Sequence, residues 1–387
     1  MNQMTRSARV LSRTLAIVSL LLCICAIPAF AQDWRVVRDG VEYAEVTKEI
    51  SGLKVNMNLL RLNLSKVRID VVHALDAAIG TEKTSSIAAR HGALAAINAG
   101  FFRLDTSAFA GDAAGILQID GKLLSEPNGE RIQLLINNQP RETDVFIARL
   151  ALTESVKLGK VDLEVTGINR ERKKDDLVMY TPEFGATTLT GNDGVEVAVS
   201  RYRVAIIKND LGNSVIPKDG FVLSATGIYR DRLLAAAAKN EKVTYIRHAD
   251  GVPPELKDDP MTFPSQWDIV AGVPQLIRDG KIEITWEQEK TTKPFVETRH
   301  PRTAVAKLRD GKFLMITVDG RTESSGGIGL QDLAEYLLSL GAVDAMNLDG
   351  GGSTTMFVDG KVVNHPSDKD GERKVSDALL VTMRRTK

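Results

Sequence analysis

Beyond residue 31 the chain has no cysteine, because its two, Cys23 and Cys25, both precede that point. Disulfides, thiolate metal sites and a cysteine nucleophile are therefore excluded from residues 32–387. Long apolar runs are missing from the same region, and nothing there reaches the roughly 20 apolar residues of a membrane-spanning helix. One-sided charge is lacking too: 50 Lys and Arg face 50 Asp and Glu. Three of the basic residues, Arg6, Arg9 and Arg13, and no acidic ones lie within residues 1–31, which leaves a net charge of −3 for the rest. A nucleic-acid binder carries a basic stripe, so no nucleic-acid partner is expected. The five histidines form no pair at helical metal-ligand spacing, which argues against a zinc hydrolase. There is also no P-loop, dinucleotide fingerprint or Ser-His-Asp nucleophile motif. No cofactor is expected, although a Ca²⁺ or Mg²⁺ ion held by aspartates remains open.

The first 31 residues read as an export signal. Three arginines precede the apolar stretch Leu15 to Ile27, and Ala29, Phe30, Ala31 form a small-x-small cleavage site. The apolar stretch is too short for an anchor, and neither cysteine follows the small residue that a lipid-attachment site wants. Cleavage after Ala31 leaves a chain beginning at Gln32, periplasmic or secreted, with no stable membrane insertion.

Most of the remainder consists of short apolar runs cut by turn residues, such as Val67 to Val72, Arg201 to Lys208, Phe221 to Ala225 and Phe313 to Val318. That is a strand pattern. Helices are expected only near Ser85 to His91, Tyr229 to Lys239 and Leu330 to Leu340. The fold class is therefore α+β: β-rich mixed sheets with a few helices, in one elaborated domain over 32–387, with an insertion-like β-rich region at 126–250. Asp-Gly-Lys recurs at Asp120, Asp279, Asp310 and Asp359, each time between β-type residues, which marks two-residue hairpin turns. The charged segment Arg170 to Asp176 reads as a solvated hairpin or loop. Asp250 to Pro264, with four prolines, reads as a long surface loop.

Two Asp-Gly pairs do not fit the hairpin pattern. Asp349 ends a strand expected over Ala342 to Leu348, whose alternation puts Ala345, Asn347 and Asp349 on one face. Gly350, Gly351 and Gly352 follow, more glycine than a hairpin needs, and then Ser353, Thr354 and Thr355. Such a backbone approaches a ligand closely and offers N–H groups to an anion. Asp319 ends the strand Phe313 to Val318 and leads into a polar loop, Arg321 to Gly327, rather than a returning strand. Asn98 ends a third strand among small residues, as a ligand contact or a buried structural amide. Pro301 fixes the directions of its neighbours, so Arg302 can present its planar fork to a phosphate or carboxylate, with Thr303 beside it. His300 reads equally as a packed residue or a proton-transfer group. Carboxylates, amides, an arginine and glycine-rich backbone together suit hydrolysis of a substrate that bears an anion, and paired carboxylates suit a carbohydrate.

At these positions the chain resembles the phosphodiester glycosidases. The matching segments are Ile97 to Phe102, Gly115 to Lys122, Gly272 to Gly280, Arg302 to Ala306, Val318 to Arg321, Leu340 to Met356 and Val363 to Pro366. They occur in the family's order across roughly residues 50–387. Departures are Ala99, where glycine is usual, and Val273, where a second glycine often precedes the proline; both bear on substrate shape rather than reaction class. The resemblance implies hydrolysis at the anomeric C–O bond of a sugar 1-phosphodiester, of the N-acetylglucosamine-1-phosphodiester kind, with a sugar phosphate or glycan as partner. On that reading Arg302 holds the phosphate and Asp349 faces the anomeric centre as nucleophile or base. Asp319 is the second carboxylate and His300 a proton donor. Asn98, Thr303, Arg321, Asn347, Ser353 and the backbone of Gly350, Gly351 and Gly352 contact the substrate. The alternatives are a metal-dependent phosphodiesterase on envelope glycans, using the same aspartates, and a non-catalytic exopolysaccharide or cell-envelope binding protein.

Overall fold

The computed structural model describes residues 32–253 and 266–384. The expected signal at 1–31 and most of the expected loop at 250–264 lie outside them. Trp34–Lys387 gathers as one unit, and among the described residues no helix is long and apolar enough to cross a membrane.

An antiparallel eight-stranded sheet is the frame. Its order is Arg35–Arg38, Val41–Ile50, Leu53–Leu62, Phe313–Val318, Arg302–Leu308, Ala342–Asn347, Gln275–Arg278 and Lys281–Ile282. Its two faces follow the period-2 alternation of the strands. Met315, Val305 and Met346 enter one core, while Leu314, Ile316, Ala304, Ala306 and Ala345 enter another. The second core is closed by the helix Leu330–Ser339, which contributes Leu330, Leu333, Ala334 and Leu337. Burying four such side chains contributes several kcal/mol, at about 1.5–3 kcal/mol per large one.

Across the first core lies a five-stranded sheet in the order Lys361–Val362, Met356–Val358, Ala95–Asn98, Asp377–Met383, Val67–His73. Its far face is covered by the helix Thr84–Arg90 through Ile87 and Ala88. A second five-stranded sheet, which includes Gln133–Asn138 and Asp268–Ala271, joins the same core. The two five-stranded sheets meet at an edge of Val67–His73 without a backbone ladder. Instead Asn138 bonds both the N–H and the carbonyl of Ile69 (3.2 and 2.8 Å). Asp268 takes the Val71 N–H (2.9 Å). Two further sheets lie entirely within residues 151–250.

The α+β class and the three expected helices are present, at Thr84–Arg90, Ile228–Ala236 and Leu330–Ser339. A short helix, Lys293–Glu297, was not expected; Thr292 caps it by accepting the Phe295 N–H, with Pro294 in its first turn. Asp120, Asp279 and Asp359 do sit in hairpins with both turn residues at positive φ. Asp310 differs: only Gly311 has positive φ there, in a longer turn closed by the Leu308 N–H on the Lys312 carbonyl. The segment at 170–176 is a loop with Glu171, Lys173 and Lys174 exposed, as expected, but its first residue does not face solvent. Arg170 turns inward to pair with Glu126 (2.5 Å) and Asp176 (2.7 Å). Charge on a segment gives its solubility but not its partner, and Glu126 is 44 residues away.

Candidate active site

Five strand ends converge where the ends of the eight-stranded and the first five-stranded sheets meet. Arg302 begins its strand opposite Val318, the residue before Asp319. Asn347 ends the next strand, paired with Ala304. On the other sheet Ile97, beside the strand-end Asn98, pairs with Met356. The segment from Leu348 to Thr355 crosses from one sheet to the other, so the glycine run lies over the junction.

Each glycine of the run meets a different wall. A Cβ on Gly350 would lie 2.7 Å from the Pro301 carbonyl oxygen, and one on Gly351 would lie 3.1 Å from the Arg321 guanidinium. A Cβ on Gly352 would overlap Asp368 and Arg373. Gly351 also has φ +60°, a conformation that a side chain disfavours. The Gly351 N–H bonds the Pro301 carbonyl (2.9 Å), which ties the run to the first residues of the Arg302 strand.

Asn98 knits the two sheets. Its Nδ2 donates to the Asp349 carbonyl (2.7 Å), and its Oδ1 accepts from Thr303 Oγ1 (2.8 Å) and the Thr355 N–H (3.1 Å). Both Asn98 and Thr303 are fully buried. As placed, they hold the protein's own backbone, the buried-amide alternative, rather than reaching a ligand. Asn347 is likewise buried, with Nδ2 donating to the carbonyls of Val273 (2.7 Å) and Leu348 (2.8 Å). Its Oδ1, with the hydroxyls of Thr354 and Thr355, is buried and has no hydrogen-bond partner among the described residues. Such atoms cost about 1–3 kcal/mol each.

The carboxyl of Asp349 is pushed up to about 6 by burial, with the Ser353 hydroxyl and the Gly350 N–H working against the rise. The residue keeps some exposure to solvent. Its Oδ1 accepts the Gly350 N–H (2.9 Å), and its own N–H is held by the Ala99 carbonyl (2.9 Å). Asp319 is only 2 % exposed. Both of its oxygens meet one residue: Oδ1 accepts the His365 N–H (3.0 Å) and Oδ2 lies 3.1 Å from His365 Nδ1.

Opposite these carboxylates stands uncompensated positive charge. Arg302 is 2 % exposed, yet its guanidinium meets only the carbonyls of Phe295, Thr298 and Ile328 (2.6, 3.0 and 3.4 Å) and the Phe295 ring, 5.0 Å from its centroid. Burial and the neighbouring Arg321 lower it to about 10. Among the described residues neither arginine has a carboxylate within ion-pair distance. Arg321 donates to His300 Nδ1 (3.2 Å), and burial followed by Arg302 and Arg321 holds His300 below its ordinary value. Because the Arg321 guanidinium can only donate, Nδ1 is the acceptor in this contact, which leaves Nε2 to carry the ring proton of a neutral His300. Phe101 stacks beside Phe295, with centroids 6.1 Å apart, and provides apolar surface next to the cation.

The sequence reading missed His365, Asp368 and Arg373. Arg373 grips Asp368 through two bonds (2.7 and 2.9 Å) behind Gly352 and pulls Asp349 downward by its charge. A signal for His365 existed: His300-Pro301 and His365-Pro366 are the chain's two His-Pro pairs. Among the described residues no three His, Asp or Glu side chains gather as a metal site.

Residues 193–382, just under half of the chain, match the family model described as phosphodiester glycosidase. A 109-residue stretch is 41% identical to the Bos taurus N-acetylglucosamine-1-phosphodiester alpha-N-acetylglucosaminidase and covers 26% of this chain and 20% of that protein. A 107-residue stretch is 39% identical to a prophage-derived protein of Bacillus subtilis, covering 28% of this chain and 16% of the relative. The chain thus spans a fifth or less of these relatives' lengths. A solved structure from Burkholderia pseudomallei superposes with a TM-score of 0.73 at 25% identity, over 85% of this chain and 74% of that one. One from Synechocystis superposes at 0.75 and 23% identity, over 89% and 62%, a likeness of fold alone.

Proposed function

We propose, from the match of residues 193–382 to the phosphodiester glycosidase model, that the chain is an exported hydrolase that splits sugar 1-phosphodiesters between the anomeric carbon and the phosphate oxygen. The observation that carries this reading is the pairing of a buried arginine, Arg302, that has no carboxylate partner among the described residues, with a second cation, Arg321, over the glycine run that follows Asp349. Two guanidiniums and the Gly350–Gly352 backbone suit a phosphodiester anion. Asp349 suits the anomeric carbon.

Both oxygens of Asp319 are taken by His365, which leaves Asp349 as the carboxylate free to attack. In the first step an Asp349 oxygen bonds the anomeric carbon, and the C–O bond to phosphate breaks with its electron pair on the phosphate oxygen. A phosphomonoester has a second pKa of about 6, so it departs without a strong acid. In the second step water bonds the anomeric carbon and the pair returns to Asp349. The apolar faces of Phe101 and Phe295 suit a sugar ring.

The test is hydrolysis of an N-acetylglucosamine 1-phosphodiester in ¹⁸O-labelled water. Label in the released sugar is expected. Label in the phosphate would mean phosphorus–oxygen cleavage and overturn the reading, as would binding without turnover.

A further inference from the structure

We propose that His365, oriented by Asp319, is the base that takes the proton of the attacking water in the second step; this rests on the glycosidase reading above. A carboxylate only accepts hydrogen bonds, so the contact of Asp319 Oδ2 with Nδ1 places the ring proton on Nδ1. The lone pair is then on Nε2, which has no partner among the described residues, and the side chain is 76% exposed.

The pair is held from both ends. The Asp319 N–H is fixed by the Asn56 carbonyl (2.9 Å), and its own carbonyl accepts from Ser325 Oγ (2.6 Å). On the other side Asn364 accepts the Met356 N–H (2.7 Å) and donates to the Thr354 carbonyl (3.0 Å), which anchors His365 beside the segment that follows the glycine run. Pro366 keeps His365 away from helical backbone angles.

The other histidines show what structural roles look like in this molecule. His73 is buried with each ring nitrogen facing a carbonyl, Ala74 at 2.9 Å and Gly111 at 3.2 Å, so neither is open to solvent. His91 pairs with Asp76, an exposed carboxylate already shared with Arg90. Among the described residues only His365 has a buried carboxylate that spends both oxygens on one histidine and leaves the far nitrogen to solvent. The proton balance is complete: water gives a proton to Nε2 as its oxygen bonds the anomeric carbon, the glycosyl bond to Asp349 breaks, and the imidazolium returns the proton to solvent.

The experiment compares wild type, His365→Ala, His365→Gln and Asp319→Asn, each checked for a cooperative melt. In both His365 variants kcat should fall by roughly 10²-fold or more. Phosphomonoester should be released in a burst of one per active site, and intact mass spectrometry should show the sugar retained on the protein. Added imidazole should restore turnover in His365→Ala. Asp319→Asn should show the same burst, and ¹⁵N NMR should show His365 losing its Nδ1–H tautomer. Turnover in His365→Ala within threefold of wild type would overturn the base assignment, as would loss of turnover in a folded variant without burst or adduct. A wild-type protein that releases no sugar would instead remove the glycosidase reading, and the base with it.

Discussion

Arg170 and Arg302 are both poorly exposed arginines, and they live in opposite surroundings. Arg170 meets two carboxylates. Burial alone would lower its pKa, but Asp176 and Glu126 outweigh that and raise it. Burial raises its partner Asp176, but the Arg170 hydrogen bond and charge, the Lys173 N–H and the Thr166 hydroxyl together outweigh that and hold it below the ordinary carboxylate range. Arg302 meets carbonyls, an aromatic face and another cation, and its pKa falls to about 10. The first charge is satisfied by carboxylates of the fold; the second has no carboxylate partner among the described residues, and on the proposed reading the substrate phosphate supplies one. Removing one partner of a buried ion pair costs on the order of 3–5 kcal/mol, and on the proposed reading Arg302 goes without its partner until the phosphate binds.

The largest test of this contrast is at Asp349, the carboxylate of the proposed site. Asp349→Asn should lower kcat by roughly 10³-fold or more. The same change should stabilise the fold at pH 7.5. A carboxyl raised from 3.8 to about 6 binds more protons folded than unfolded in that window, so wild-type stability falls as pH rises through it. The variant should lack that fall in a series of melting curves. Unchanged activity in a folded Asp349→Asn would break the comparison outright.

Next in size is a swap of the two arginines for methionine. Arg170→Met strands Asp176 and Glu126 and should cost about 3–5 kcal/mol in urea unfolding, with KM unaltered. Arg302→Met exchanges an unpaired buried charge for a few carbonyls left unbonded, so it should leave urea stability unchanged or raise it, yet lower kcat/KM by roughly 10²-fold. Equal behaviour of the two variants would erase the distinction. A smaller and simpler measurement is the melting temperature in inorganic phosphate. Phosphate should stabilise wild type by about 2.7 kcal/mol at a hundredfold excess over its Kd and do little for Arg302→Met. Smallest is Asp359→Ala, at a hairpin Asp-Gly. It should cost about 1 kcal/mol, for alanine at positive φ, and leave kcat alone.

Local patterns made part of this legible in the sequence. The helix at 330–339 and the strands at 313–318 and 356–358 follow from apolar spacing and turn residues, which act over a few positions. The glycine run, Asp349 and Asp319 stood out because they break the Asp-Gly hairpin rule that Asp120, Asp279 and Asp359 obey. What the sequence hid was orientation and pairing over long separations. Nothing near Asn98 announces that its amide belongs to Thr303, Thr355 and Asp349, or that Asp319 reaches His365 across 46 residues. Arg170 and Arg302 look alike as letters, and only the fold distinguishes the paired cation from the unpaired one.

The junction between the two five-stranded sheets has a kinetic consequence. Along the outer edge of Val67–His73, the amides of Ile69 and Val71 are protected by single side chains, Asn138 and Asp268, and not by a ladder whose bonds open together. Hydrogen exchange at Ile69 should therefore quicken in Asn138→Ala while Val71 stays slow, one amide answering to one side chain. A boundary stitched this way can part locally without dissolving either sheet.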